Sequence, residues 1–308
     1  MDIDEVLDGK LLNRFVLIGN PVGHSLSPVM HNKLYEHMAK SCPHFGTWRY
    51  SAVLCEDEQS ALEQIDKVRL GIYKGMNITM PYKRLALARA DYVDASADAA
   101  GGANVLVRKG FDLYAYNTDG TGAVGAIERV SGMSPAGRTV AVCGTGPTSV
   151  AIAAAFGAAG AREVCLFSRE RAKARSTVER LELSLPQGAV CVLDYASYAD
   201  AARIIPKADI VVDATPRGMR PDDEAIVDVS LFHEGQVVFD TVYNHGITKI
   251  LAGARDNGAF AMDGLEMLVE QAALSVEIWE AEMGLDEPVP REVMRLAAEH
   301  VLRAKSKG

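Results

Sequence analysis

A lysine stands where a predicted helix would disfavour its charge. Residues 76–83, with the sequence MNITMPYK, predict a short strand followed by a helix that begins with Pro81, where the missing N–H costs little. Lys83 then lies in the first turn, at the positive end of the helix dipole, which disfavours an ammonium by roughly 0.3–1 kcal/mol. A lysine in such a field is a candidate for proton transfer. This segment alone nevertheless favours a solvated lysine early in a helix.

Two closely spaced serines stand before another predicted helix. Ser27 is expected to be the N-cap of a helix that continues with Pro28 and extends to about residue 39. Hydroxyl groups and unpaired N–H groups at a helix start suit a carboxylate, so Ser25 and Ser27 are candidates for binding an acid. Plain capping is the alternative role for both residues.

Strands and helices alternate along almost the entire chain, which predicts an α/β fold. In the second half, the apolar residues 139–143 lead into a glycine-containing loop and an alanine-rich helix, and a strand is expected at 163–167. This order is typical of a dinucleotide-binding domain. Gly144 would permit a tight turn and Gly146 the close approach of a pyrophosphate, while Ser149 replaces the third glycine of the motif. A purely structural turn is the alternative. The loop residues expected to bind the cofactor are Gly144, Gly146, Pro147, Thr148 and Ser149.

The choice of cofactor is expected at the end of the next strand. An acidic residue there would bind the ribose 2′-hydroxyl of NAD, whereas arginine suits the 2′-phosphate of NADP. The chain has Ser168 and Arg169, then Glu170 and Arg171, with Lys173 one turn further on. The basic cluster favours NADP. NAD stays open, because Glu170 could either repel the phosphate or pair with a neighbouring cation.

The bulk composition fits a protein of two ordinary globular domains. The 308 residues are 48% hydrophobic and 24% charged, and the length suggests two domains. A net charge of −9 argues against a nucleic-acid or anionic-membrane partner. Five cysteines without CxxC spacing predict reduced thiols in a cytoplasmic protein, and the histidines form no ligand-pair motif, so no metal is expected. The acidic start predicts no signal peptide, and the longest run of small apolar residues is too short to cross a bilayer.

Several motifs follow one another along the chain at compatible spacing. They are GNPVGHSLSP at 19–28 with HN at 31–32, NITMPYK at 77–83, AN at 103–104, NTDG at 117–120, the glycine loop, ATPRGM at 214–219, DTVYN at 240–244 and DGLEMLVEQ at 263–271. Each motif is a modest signal, but the ordered set is a strong one. Over nearly its whole length the chain resembles the shikimate dehydrogenases and the related quinate/shikimate dehydrogenases.

The resemblance implies an architecture of three segments. Residues 1–118 would form an α/β substrate-binding domain, residues 119–263 a Rossmann-type NAD(P)-binding domain, and residues 264–308 a helical segment that returns to the first domain. The substrate would lie in the cleft between the two domains.

The resemblance also implies roles for individual residues. It assigns the substrate carboxylate to Ser25 and Ser27, and proton transfer to Lys83 with Asp119. As a neutral amine, Lys83 can accept the alcohol proton during oxidation and return it during reduction. Asp119 taken alone would be a turn or a helix cap. Thr79, Asn104, Asp119 and Gln271 would bind the ring hydroxyls. Tyr243 would lie near the substrate and the nicotinamide, and Thr215 and Gly264 would make further contacts with the cofactor.

The resulting hypothesis is reversible, NADPH-dependent reduction of 3-dehydroshikimate to shikimate, by a monomer or homodimer whose partner is a small ring carboxylic acid. An NAD-dependent enzyme acting on quinate or shikimate is one alternative. It stays open because Asp213 stands where the family usually has asparagine, Glu170 where it commonly has threonine, and two serines do not exclude quinate. A non-catalytic sensor of ring acids is an alternative of another class, which the intact pair of Lys83 and Asp119 disfavours.

Overall fold

The protein divides into two compact units. The computed structural model describes residues 6–7, 10–184 and 191–305. Unit 1 contains the described residues of Met1–Ala97, Gly102–Thr118 and Gln271–Gly308, and unit 2 contains those of Asp98–Gly101 and Asp119–Glu270. The predicted assignment of residues 1–118 to substrate binding, of 119–263 to cofactor binding and of 264–308 to a separate segment stays a prediction.

Strands occur throughout both units. They are β1 (Val6–Leu7), β2 (Lys10–Leu11), β3 (Asn13–Gly19), β4 (Trp48–Leu54), β5 (Gly75–Ile78), β6 (Tyr92–Val93), β7 (Val105–Lys109), β8 (Asp112–Tyr116), β9 (Thr139–Cys143), β10 (Glu163–Ser168), β11 (Val192–Ser197), β12 (Ile210–Asp213), β13 (Val237–Asp240) and β14 (Phe260–Met262).

Helices connect most of these strands. They are α1 (Ser27–Met38), α2 (Glu58–Arg69), α3 (Lys83–Arg89), α4 (Ala95–Ala100), α5 (Asp119–Ser131), α6 (Pro147–Ala158), α7 (Arg171–Ser184), α8 (Ala201–Ile204), α9 (Lys249–Asp256), α10 (Leu265–Glu282) and α11 (Arg291–Lys305). Among the residues that the structure describes, no helix has both the length and the apolar character that a bilayer crossing requires.

Unit 1 is built on a mixed sheet with the strand order β4-β3-β5-β7-β8-β6. Strand β3 is parallel to β4 and β5, whereas β7 runs antiparallel to β5 and β8. Asn77 near the end of β5 is therefore opposite Val105 at the start of β7, and Val105 is opposite Tyr116 at the end of β8. This register brings the residues that follow β5 and β8 to the same edge as those that precede β7.

Unit 2 is built on a parallel sheet with the strand order β11-β10-β9-β12-β13-β14. From β9 the chain adds β10 and β11 on one side and then β12, β13 and β14 on the other, which is the arrangement of a doubly wound dinucleotide-binding fold. Buried apolar side chains cover both faces of the sheet, as a parallel sheet requires. The structure confirms the predicted α/β class and the Rossmann-type unit.

The C-terminal helices return to unit 1, as predicted. Trp279 near the end of α10 is fully buried, stacks on Phe15 at 4.7 Å between ring centroids, and donates its indole N–H to the carbonyl of Leu106 at 3.3 Å. Gly75 at the start of β5 makes this packing possible, since a Cβ there would overlap the indole ring. Helix α11 packs on α1.

Two predicted helix starts are wrong in detail. Helix α1 begins at Ser27, but its N-cap is Leu26, which already has right-handed helical dihedrals and whose carbonyl accepts the N–H of Met30 at 3.1 Å. Leu26 is buried, so the chain turns one residue earlier than the serine pattern indicates. The N–H of Ser27 is instead satisfied by the hydroxyl of Ser25 at 3.2 Å.

Pro81 is not the first residue of a helix. The N–H of Tyr82 donates to the carbonyl of Thr79 at 3.1 Å, and this turn holds Pro81 ahead of the helix. Helix α3 begins at Lys83, with Tyr82 as its N-cap. The predicted position of Lys83 in the first turn of a helix is confirmed.

The contact between Gly75 and Trp279 predicts a large cost for a single added methyl group. Gly75→Ala should lower the free energy of unfolding by about 1–3 kcal/mol, because the indole must shift within a closely packed core. Gly46→Ala is the matched control, since a Cβ there would meet its nearest neighbour at 4.0 Å. Urea denaturation of both variants measures the difference. Equal stabilities would contradict the packing described.

Candidate active site

Polar side chains meet at the edge of the unit 1 sheet where β3 and β5 end. The N–H of Thr79 donates to the carbonyl of Ile18 at 2.9 Å, and the N–H of Asn20 donates to the carbonyl of Met80 at 2.8 Å. Gly19 permits this closure, because a Cβ there would overlap the methyl group of Thr79. The backbone therefore fixes Thr79, a predicted ligand of a ring hydroxyl, at this edge.

Asn77 connects three other elements to this edge. Its side-chain amide is buried, and its Nδ2 donates to the carbonyl of Asn104 at 3.2 Å and to the hydroxyl of Ser275 at 2.9 Å. Its Oδ1 accepts the hydroxyl proton of Tyr50 at 2.8 Å. Ser275 in turn donates to the carbonyl of Gln271 at 2.8 Å. Both donors of the amide are used, and so is its acceptor.

Asn104 and Gln271 are brought together in unit 1, as their predicted shared role requires. The Nδ2 of Asn104 lies 3.4 Å from the Oε1 of Gln271 and donates to the hydroxyl of Thr118 at 3.0 Å. The Oδ1 of Asn104 accepts the N–H of Thr118 at 2.9 Å, and the Thr118 hydroxyl donates to the carbonyl of Gln271 at 3.0 Å. Two side-chain amides, which carry both donors and acceptors, therefore lie side by side.

The two serines lie at the start of α1 with different exposure. Ser27 is 6% exposed, whereas Ser25 is partly open to solvent and accepts the N–H of Ser27. Burial raises the pKa of Tyr50 well above its usual range, and Ser27 offsets part of that rise. The first turn of α1 thus presents hydroxyl groups suited to an acid.

Lys83 lies close to the polar edge of unit 1. Its carbonyl accepts the N–H of Ala103 at 2.9 Å, which places the first turn of α3 beside the residue that precedes Asn104. The lysine is half-buried. An amine in this position can exchange a proton with a hydroxyl group held by the neighbouring amides.

The glycine loop of unit 2 has the geometry of a phosphate-binding turn. Gly144 has a φ of 115°, a conformation that favours glycine. Helix α6 starts after Gly146 without a side-chain cap, and a Cβ on Gly146 would meet no atom within 4 Å, so open space faces the helix start. Ser149 donates its hydroxyl to the carbonyl of Ala214 at 3.1 Å and so ties this loop to the one after β12. These residues fit a dinucleotide pyrophosphate.

Asp119 is fixed against the helix of the glycine loop. It is 5% exposed, begins α5, and accepts the hydroxyl proton of Thr148 at 3.3 Å. Gly120 lets α5 approach α6 closely, because a Cβ there would overlap the carbonyl of Ala151. Since Lys83 is in unit 1 and Asp119 in unit 2, the pairing of these two groups stays a prediction.

The end of β10 presents exposed cations. Arg169 and Lys173 are both exposed, whereas Ser168 is buried and its hydroxyl accepts the N–H of Glu170 at 3.4 Å. Arg171 pairs with Asp200 at 3.4 Å and lies over the ring of Tyr195. The charge of Arg171 is therefore partly neutralised within the protein, and Arg169 and Lys173 remain the better candidates for a phosphate.

Two buried carboxyl groups at the ends of β12 and β13 shape the neighbouring loops. Asp213 accepts the N–H of Thr215 at 2.9 Å, and burial, with a smaller contribution from Asp240, raises its pKa to about 7. Asp240 accepts the N–H of Val242 at 2.9 Å and the hydroxyl proton of Thr248 at 2.6 Å. In the sequence, Asp213 stands out only as a departure from the family pattern. The signal that could have indicated this pair of carboxyl groups is an aspartate at the end of each of two apolar strands.

Gly264 and Tyr243 lie in neighbouring segments of unit 2. The N–H of Gly264 donates to the carbonyl of Val242 at 3.2 Å, and a Cβ on Gly264 would overlap the carbonyl of Thr241. Gly264 is therefore required for this close approach. Tyr243 is half-buried, and burial raises its pKa.

Comparison with known proteins decides the family. Residues 17–106 match the family model described as the shikimate dehydrogenase substrate binding domain. A shikimate dehydrogenase (NADP(+)) of Bacillus cereus is 34% identical over 271 residues, which cover 85% of this chain and 91% of that protein. The chain belongs to the shikimate dehydrogenase family.

Solved structures of this family share the fold. Shikimate 5-dehydrogenase from Thermus thermophilus, in complex with NADP(H) and shikimate, superposes with a TM-score of 0.78 at 28% identity, over 94% of this chain and 99% of that one. Quinate dehydrogenase from Corynebacterium glutamicum, in complex with NAD, gives a TM-score of 0.78 at 25% identity, over 93% and 98%. This shikimate dehydrogenase family member thus has relatives with either cofactor.

The raised pKa of Asp213 predicts a pH-dependent stability. A folded-state pKa near 7 against about 4 in the unfolded chain means that the folded state holds the proton more tightly. The stabilising contribution is full below pH 4 and is lost as the pH rises through 7. Relative to Asp213→Asn, the wild type should lose on the order of 2–4 kcal/mol of unfolding free energy between pH 4 and pH 8.

Urea denaturation across this pH range measures the effect, with Asp222→Asn, an exposed aspartate of the same unit, as the control. Parallel pH profiles for the wild type and Asp213→Asn would show that Asp213 is ionised in the folded protein, contrary to this description.

Proposed function

We propose that the protein catalyses the reversible reduction of 3-dehydroshikimate to shikimate with NADPH. The observation that carries this proposal is the contact of the Asn104 and Gln271 side chains, 3.4 Å apart, in the unit that matches the substrate-binding family model. A ring with several hydroxyl groups needs donors and acceptors together, which two amides provide. The names of the Bacillus and Thermus relatives, which specify NADP and shikimate, support the same reaction.

In this proposal the first turn of α1 binds the acid. Ser25 and Ser27 bind the carboxylate with their hydroxyl groups, and the N–H of Ser27 holds the Ser25 hydroxyl at the start of the helix. The backbone N–H groups of the first turn add a favourable field. The ring hydroxyls bind to Thr79, Asn104, Asp119 and Gln271. Thr118 is buried and hydrogen-bonded to the side chain of Asn104, which keeps that amide in one orientation. A fixed amide favours a single substrate pose.

Lys83 carries out proton transfer. It takes the hydroxyl proton when shikimate is oxidised and donates a proton when the ketone is reduced. After each turnover the amine regains its starting state by releasing that proton to solvent, or by taking one up in the reductive direction. Asp119 bonds the same hydroxyl and orients the lysine. Bound NADP supplies the hydride chemistry. The chain holds that cofactor through its glycine loop at Gly144 and Gly146, with Tyr243 near the nicotinamide.

The cations after β10 favour NADP. Arg169 and Lys173 bind the 2′-phosphate, and the buried hydroxyl of Ser168 stabilises the turn that presents them. Thr215 and Gly264 complete the cofactor site from the loops after β12 and β14. NAD-dependent oxidation of quinate or shikimate is the second candidate, favoured by the exposed carboxylate of Glu170 beside Arg169 and by the Corynebacterium relative.

Initial rates with shikimate and with quinate, each with NADP and with NAD, test the proposal. Shikimate with NADP should give the highest kcat/KM of the four combinations. A preference for quinate with NAD would support the second candidate. Absence of turnover in all four, with shikimate binding retained, would instead identify a non-catalytic ring-acid sensor.

Loss of the Lys83 amine should affect turnover far more than binding. Lys83→Ala is expected to lower kcat by about 10²–10⁴-fold, the usual contribution of a proton-transfer group, with little change in the dissociation constant for shikimate. Lys74→Ala, which removes an exposed lysine of the same unit, is the control and should retain wild-type rates. A kcat near that of the wild type for Lys83→Ala would rule out the assigned role.

Loss of the Arg169 guanidinium should discriminate between the cofactors. Arg169→Ala is expected to raise the KM for NADP about 10–100-fold, because hydrogen bonds to a charged phosphate are lost, and to leave the KM for NAD nearly unchanged. Arg175→Ala on the adjacent helix α7, whose guanidinium pairs with Glu179, is the control. Equal effects on the two cofactors would contradict the 2′-phosphate assignment.

A further inference from the structure

Tyr50 occupies a position in unit 1 to which the proposed function assigns no role. It is 4% exposed and lies in β4. The side chain of Asn32 forms two hydrogen bonds with the Tyr50 backbone: its Nδ2 donates to the carbonyl at 2.8 Å, and its Oδ1 accepts the N–H at 2.9 Å. The Tyr50 ring stacks on that of His31 at 4.0 Å, with an angle of 1° between the planes. Backbone and ring are thus both fixed.

The direction of the hydrogen bonds at Tyr50 follows from Asn77. The carbonyl of Asn104 can only accept, so the amide nitrogen of Asn77 must face it, and the Oδ1 must face Tyr50. The single hydroxyl proton of Tyr50 is therefore donated to Asn77. The bonds run in one direction from Tyr50 through Asn77 to the backbone carbonyl of Asn104 and to the hydroxyl of Ser275.

This order links Tyr50 to the two amides of the proposed substrate site. Asn77 donates to the backbone carbonyl of Asn104, and Ser275, which accepts from Asn77, donates to the backbone carbonyl of Gln271 at 2.8 Å. Asn104 and Gln271 are both assigned to ring hydroxyls. Tyr50 therefore fixes the side chain that holds the backbone of both residues.

We propose that Tyr50 is a positioning residue for the ring acid: through its hydroxyl group it sets the orientation of Asn77 and, through Asn77, the geometry of Asn104 and Gln271. The inference rests on the proposed function, since it concerns how that substrate is held. Tyr50 acts through its neighbours and needs no contact with the reacting atoms.

His31 contributes a flat surface and no charge to this arrangement. Burial lowers the pKa of His31 to about 3, so the ring stays neutral at any working pH. Its Nδ1 pairs with the hydroxyl of Tyr35 at 3.2 Å, and its Nε2 has no hydrogen-bond partner among the described residues. The stack on His31 needs only the ring of Tyr50. Removing the hydroxyl therefore leaves the stack intact and isolates the role of the hydrogen bonds.

Tyr50→Phe tests the proposal in the full-length protein. The KM for shikimate should rise about tenfold, because the buried Oδ1 of Asn77 loses its donor and the backbone positions of Asn104 and Gln271 are no longer fixed. The kcat and the KM for NADP should stay within about twofold of wild type. Tyr35→Phe is the matched control: it removes another buried hydroxyl of the same aromatic cluster, one bonded to His31, and should leave the KM for shikimate unchanged.

A double-mutant cycle identifies the route of the effect. If Tyr50 acts through Asn104, adding Tyr50→Phe to Asn104→Ala should raise the KM for shikimate by clearly less than the effect of Tyr50→Phe alone. Fully additive effects would overturn the proposal. So would a KM for shikimate that rises no more than in Tyr35→Phe, or equal rises for shikimate and NADP, which would indicate a general loss of structure.

The wild-type assay separates this inference from the proposed function. If the wild type turns over neither shikimate nor quinate, the proposed function fails. If the wild type oxidises shikimate and Tyr50→Phe retains its KM, the function stands and only the positioning role fails. Thermal unfolding of Tyr50→Phe and Tyr35→Phe shows whether both variants keep the fold during the assay.

Discussion

The buried amide of Asn77 is the constraint on which unit 1 depends. Its hydrogen bonds join β5 to Tyr50 of β4, to the residue before β7, and to Ser275 of α10, which is 198 residues further along the chain. A buried polar group left unpaired costs about 1–3 kcal/mol, so each of these elements has one favourable position relative to the others. Asn104 and Gln271 acquire their mutual geometry from this arrangement.

In unit 2, buried polar groups likewise fix the loops at the carboxyl ends of the parallel strands. Asp213 and Asp240 are buried, yet each accepts hydrogen bonds from the loop that follows its own strand. Ser149 joins the glycine loop to the loop after β12 in the same way. Loops held by buried polar groups keep one shape before a ligand binds, which lowers the entropic cost of binding a dinucleotide.

Local patterns in the sequence predict the parts of the fold that local physics decides. The apolar run of β9, the glycine at positive φ after it, and the first-turn position of Lys83 all agree with the structure. The predicted roles of Ser27 as N-cap and Pro81 as first helical residue are wrong, because a buried leucine and a tight turn outweigh the capping preferences. Tyr50 and Ser275 carry no local signal of their partnership, since their contacts with Asn77 exist only after the sheet and α10 have assembled.

The most direct measurement is a crystal structure of the protein with bound shikimate. We expect the carboxylate within hydrogen-bond distance of Ser25 and Ser27, ring hydroxyls on Asn104 and Gln271, and an Asn77 amide that keeps its bonds to Tyr50 and Ser275. A carboxylate bound to Lys83, or an Asn77 amide turned toward the ligand, would contradict the central claim that a satisfied polar network positions the ring acid in advance.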